Sequence, residues 1–131
     1  CALDHVGVSA ADRTGSHAGC VSSCGVYDMV GNVWEWVDAV SENGMYGTRL
    51  LPGEGFVSES DADGVPSSVA TSSDRAYGND YFFSDQSGVK GMFRGGFMAM
   101  GEKAGVFTVN ATIPTSFVGN AVGFRCAREA Q

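Results

Sequence analysis

A chain of 131 residues, 44% of them hydrophobic, is long enough for one domain with a modest core. Its net charge of −7, with eight basic residues against fifteen acidic ones and no Lys/Arg cluster, excludes the basic stripe that DNA or RNA binding needs. No apolar run approaches the ~18 residues of a membrane-spanning helix, and nineteen glycines, about twice the usual share, favour turns and strands over helices.

Residues 1–25 are small and polar, with no clear periodicity. The chain opens on Cys1 rather than methionine and shows no signal peptide, so a fragment is one expectation, whose upstream part could hold a targeting signal; a minimal version of a longer protein is the other. Four cysteines, Cys1, Cys20, Cys24 and Cys126, suit two disulfides in any of three pairings. Zinc would need paired short spacings; only Cys20 and Cys24 lie close, and neither His5 nor His17 completes a set. Disulfides in turn imply an oxidising, extracellular setting.

The densest apolar segment is "VYDMVGNVWEWVDAV" at 26–40. Gly31-Asn32 is a turn signal inside it, which predicts a short turn or helical piece over 26–30 and a strand over Val33–Val37. Trp34 and Trp36 then share one strand face and can fill a core. Residues 52–88 are rich in Ser, Asp and Gly and read as a long irregular surface segment, either one that a compact domain keeps for binding or metal coordination or a solvated, variable loop. In the last third, "VKGMFRG", "GVFTVNATI" and "AVGFRCA" read as strands separated by glycine turns, an antiparallel arrangement. No long amphipathic helix is required. Asn110-Ala111-Thr112 fits a glycosylation sequon. No nucleophile elbow or phosphate loop occurs. The expected architecture is a single α+β domain over 1–131, loop-rich with little regular structure and small antiparallel sheets.

"GVYDMVGNVWEWV" at 25–37, "MFRGGF" at 92–97 and "VGFRCAR" at 122–128 resemble, in order and spacing, the formylglycine-generating enzyme (sulfatase-modifying factor) family, a variant of the C-type lectin fold. The likeness covers roughly residues 14–128; the family's helical N-terminal half has no counterpart. The resemblance implies that Arg94 and Arg125 are structural arginines, a residue type suited to carboxylates and carbonyls, and that Gly95, Gly96 and Gly123 permit sharp backbone geometry or close strand contact. It also implies calcium, held by the side chains of Asp28 and Glu35 and the carbonyls of Gly31 and Val33, a ligand chemistry that calcium accepts; the alternative is a Glu35 buried by hydrogen bonds with no metal. The family's enzymes oxidise a substrate cysteine with two copper-binding cysteines shortly after the RGG motif. Phe97 to Val122 contains no cysteine, so neither copper nor oxidase chemistry is expected. Cys126 falls where the family often has a structural disulfide partner.

The tail "RGGFMAMGEKAGVFTVNATIPTSFVGNAVGFRCAR" is similar to the variable region of diversity-generating retroelement proteins, which use this fold as a scaffold for sequence variation. The fixed elements are then Arg94-Gly95-Gly96, Ala104-Gly105-Val106-Phe107, Asn110, Pro114 and Gly123-Phe124-Arg125. The likeness makes 97–122 a ligand-binding region, with Phe97, Met98, Ala99, Met100, Glu102, Thr112, Phe117, Gly119 and Asn120 as its interchangeable residues. By alternation Phe97 and Ala99 face one way and Met98 and Met100 the other, so one set can pack inward. Together the two resemblances imply a non-enzymatic domain on a virion or cell surface that binds a protein or glycan ligand. The competing expectation is an oxidase of the resembled type, or a catalytically dead structural relative.

Overall fold

The structure, a computed structural model, describes residues 1–4 and 10–126; His5 and the last two residues of the VGFRCAR motif lie outside this set. Among the described residues nine strands follow in chain order: β1 Trp34–Glu42, β2 Met45–Tyr46, β3 Arg49–Leu50, β4 Gly55–Ser60, β5 Pro66–Ala70, β6 Tyr81–Ser84, β7 Val89–Arg94, β8 Val109–Ile113 and β9 Val122–Gly123. They form one sheet in the order β3-β2-β1-β7-β8-β6-β4-β5, with β9 alongside β1. The β1–β9 and β6–β8 pairs are parallel and the others antiparallel.

This overturns the α+β expectation: the molecule is nearly all sheet, curled into a half-barrel. The one helical piece among the described residues is the 3-10 turn Gly101–Lys103. No helix there is long and apolar enough to cross a membrane. The helical option for 26–30 fails, because Asp28 within it adopts a positive φ (56°), as do Gly31 (78°) and Asn32 (61°) just after it. Its Tyr27 closes a small hairpin through a bridge to Val21.

Residues 52–88 depart from the expected irregular loop by contributing β4, β5 and β6. Serines conceal β4 and β5 in the sequence. Ser58 Oγ donates to Ser68 Oγ across β4 and β5 (3.0 Å), so polar side chains pair between strands rather than marking a loop. Between them lie inward residues: Val57 is fully buried, and Val65 and Pro66 are nearly so.

One face of the sheet carries the core, in which Val57, Phe82, Met92, Val109 and Ala111 cluster with Leu51 and Val65. The other face carries rings. Period-two alternation along β6 sends Phe82 into the core, while Tyr81 and Phe83 contact each other, their centroids 4.7 Å apart. Ring contacts continue from Phe83 to Trp34 (6.1 Å), from Trp34 to Phe93 (6.3 Å) and from Phe93 to Trp36 (4.0 Å). Trp34 and Trp36 therefore do share a face. Gly91 makes room for this row, since a Cβ there would lie 2.1 Å from Trp36 Cζ3.

Candidate ligand-binding site

The Arg-Gly-Gly turn leaves β7 through two left-handed glycines, Gly95 (φ 84°) and Gly96 (φ 81°). Side chains would not fit at either: a Cβ at Gly95 would stand 2.6 Å from Met29 O, and one at Gly96 would stand 2.6 Å from Ala104 Cβ. The turn is stitched to the WEW motif by Gly31 N–H donating to Gly95 O and Met98 N–H donating to Asn32 O, each at 3.0 Å. That second bond helps fix which way the following residues point. Phe97 lies half-buried with its ring 6.3 Å from Trp34. Met98 turns inward and is 3% exposed. Met98 therefore belongs to the interior and cannot present its side chain to a ligand, which corrects its place in the expected binding set.

Beyond Phe97 opens a cavity of about 350 Å³. Trp34 and Phe93 line it together with Phe97, Ile113 and Phe117, and Asn110, Gly119, Asn120, Ala121 and Val122 complete it. The tail reaches the cavity because β9 runs parallel to β1 with Val122 opposite Trp34, and because Trp34 N–H donates to Ala121 O (2.8 Å). Tail carbonyls are used internally: Pro114 O accepts from Phe117 N–H and Gly119 O from Val122 N–H. The lining is consequently apolar, with two Asn side chains as its polar groups. Asn110, the sequon residue, accepts from Thr112 N–H (2.9 Å) and Thr112 Oγ (2.7 Å) through its Oδ1.

Of the nine expected binding residues, Phe97, Phe117, Gly119 and Asn120 meet at this cavity. Thr112 acts one step behind, by holding Asn110. Ala99, Met100 and Glu102 lie at the 3-10 turn outside the lining, where Glu102 accepts from Asn79 Nδ2 (3.0 Å). Trp34 is buried, at 7% exposed, as expected of a core residue, but it also lines the cavity, a role that sequence reasoning missed for it and for Phe93 and Ile113.

The AGVF segment is held from below by Asp80. Phe107 N–H donates to Asp80 Oδ2 (2.7 Å), and a Cβ at Gly105 would fall 1.6 Å from Asp80 Oδ1, so only glycine fits there. Burial raises the Asp80 carboxyl above its ordinary range, and the Phe107 N–H holds back part of the rise. Thr108 Oγ donates to Lys103 O (2.7 Å) and accepts from Tyr81 N–H (3.1 Å), which joins the 3-10 turn to β6.

The two arginines reach oxygen acceptors, as their type suggests. Arg94 Nη2 donates to the carbonyls of Asp63 (3.0 Å) and Gly64. Arg125 forks onto Glu35, with Nε to Oε2 at 2.7 Å and Nη2 to Oε1, and its Nη2 also faces the carbonyls of Tyr27 (3.1 Å) and Asp28 (3.4 Å). Its pairing with Glu35 raises the Arg125 pKa further. This bears on the calcium set Asp28, Gly31, Val33 and Glu35. Asp28 is buried; its Oδ2 accepts from Gly15 N–H (2.8 Å) while its Oδ1 has no hydrogen-bond partner, an arrangement open to a cation. Both oxygens of Glu35, however, already hold Arg125. The four residues do not fit calcium while that guanidinium keeps its place.

Among the described residues no three His, Cys, Asp or Glu side chains gather into a metal-binding group. A disulfide joins Cys1 to Cys20. The backbone brings these two together: Asn32 N–H donates to Ala2 O and Asp28 N–H to Cys20 O, so both cysteines flank the VGN turn. Cys24 and Cys126 are exposed and unbridged, which corrects the expectation of two disulfides. Cys24 sits instead on the outward turn that Gly25 N–H closes onto Ser22 O.

No curated protein and no solved structure matches this chain. The family model for the sulfatase-modifying factor enzyme 1-like domain matches residues 8–130, nearly the whole sequence. The chain thus belongs to the sulfatase-modifying factor enzyme 1-like, or formylglycine-generating-enzyme-like, family, with its C-type lectin-like fold and its mixture of enzymes and non-enzymatic relatives.

Proposed function

We propose that this domain is a non-enzymatic recognition module of the retroelement-diversified kind, displayed on a virion or cell surface, which binds a protein or glycan ligand at the cavity over Trp34 and Phe93. The observation that carries the reading is the meeting of Phe97, Phe117, Gly119 and Asn120 at one apolar cavity, on a floor supplied by the sheet. Four tail residues separated by up to 23 positions converge there without contributing to the core cluster. Preformed walls and ring anchors suit binding with little backbone change. Oxidase chemistry finds less support, since the segment after the RGG motif has no cysteine to ligate copper. The discriminating experiment is oxygen uptake with a cysteine-bearing peptide in the presence of copper or iron. The reading predicts no uptake above background; sustained turnover would overturn it.

A further inference from the structure

The family resemblance places a cation between Asp28 and Glu35, and the structure places a guanidinium on the same acceptors. Glu35 keeps only 15% of its side chain exposed, and both of its oxygens accept from Arg125. The carbonyls that Arg125 also faces, those of Tyr27 and Asp28, belong to the turn that leads into the WEW strand. One side chain thus addresses a carboxylate and main-chain carbonyls together, the two donor kinds that a calcium site combines. A divalent ion at Glu35 would first have to displace a bidentate pair, and would then sit beside a guanidinium that cannot lose its charge.

Arg125 is also where the tail is fastened. The β9 pairing with β1 ends at Gly123, two residues before it, and the cavity wall Phe117–Val122 comes immediately upstream. The bonds holding that wall to the sheet include Trp34 N–H to Ala121 O, while Val122 N–H donates to Gly119 O within the wall itself. We propose that Arg125 is the resident cation of this motif, neutralising Glu35 in place of calcium, and that its fork onto Glu35 clasps the tail that walls the cavity.

The test uses the intact chain. Thermal unfolding of the wild type in millimolar calcium chloride and in EDTA is expected to give the same midpoint, and terbium titration is expected to give no saturable emission sensitised by Trp34 or Trp36. A calcium-dependent rise in the midpoint, or saturable terbium emission, would overturn the proposal. In Arg125→Gln, hydrogen exchange at the Trp34 and Val122 amides is expected to speed up about tenfold or more, and terbium is expected to bind in a manner lost in the Arg125→Gln/Glu35→Gln double variant. Unchanged exchange would contradict the clasp; failure to bind terbium would contradict the exchange of cations. Should Arg125→Gln not fold, the wild-type calcium and terbium measurements still decide.

Discussion

Phe97 and Met98 are adjacent and do opposite work. Alternation alone allowed either to face inward; the Met98 N–H bond to Asn32 O, a contact across 66 residues that no local pattern reveals, helps select Met98. Met98→Ala should therefore destabilise the domain by about 2–5 kcal/mol, as truncations at buried sites do. Phe117→Ser, at a position 41% exposed, should stay within about 0.5 kcal/mol. Urea unfolding of both variants checks the pair. Asp80 supplies a pH signature. Its carboxyl is raised above the ordinary 3.8 by burial, so its contribution is most favourable below pH 3.8 and declines as pH rises through the native value. Wild-type stability relative to Asp80→Asn should fall over the window just above pH 3.8 and be level below it; a pH-independent difference would contradict this. Asp85 is the opposite case. The hydrogen bond from Lys90 is the largest of the effects that hold its carboxyl at about 2. Its contribution is present above 3.8 and is lost as pH falls toward 2. In Lys90→Met, an NMR titration of Asp85 should move back toward the ordinary value.

At the scale of elements, β1, β7 and β8 were readable as apolar, aromatic or β-branched runs set off by glycine turns. β4 and β5 were not, because serines paired across strands look like loop residues until the partner strand is known, and the aromatic β6 was passed over within the same polar stretch. The helical option for the 26–30 segment failed on the positive φ of Asp28 within it and of Gly31 and Asn32 just after it, which no composition rule anticipates. Cysteine counting likewise suggested two bridges where one forms, since spacing cannot tell that Cys24 sits on an outward turn. The packing of β1 against β7 can be probed by a single change. A methyl group at Gly91 would collide with the Trp36 ring, so Gly91→Ala should cost about 1–3 kcal/mol and alter the near-UV circular dichroism of the tryptophans. A variant with native stability and an unchanged spectrum would contradict the packing described.

As a whole, the molecule divides its work between the two faces of one sheet. Aliphatic side chains and Phe82 close the core on one face; rings cover the other, where the tail returns to build a cavity. The motifs that fix the scaffold were legible in the sequence as three short strings, and the structure gives their residues physical reasons: left-handed glycines in RGG, a glycine crowded by Asp80 in AGVF, and an arginine forked onto Glu35 in GFR. The cavity floor was not legible, because a buried tryptophan that lines a cavity and one that only fills the core look alike in sequence. A recognition module of the proposed kind keeps its floor and scaffold fixed while its cavity wall is exchanged. Sequencing the locus across a population measures that division position by position. Substitutions should concentrate at Phe97, Phe117, Gly119 and Asn120, with residues 25–37, Phe93 and Met98 constant. Substitutions scattered evenly along the chain, or Met98 varying as freely as Phe97, would contradict it.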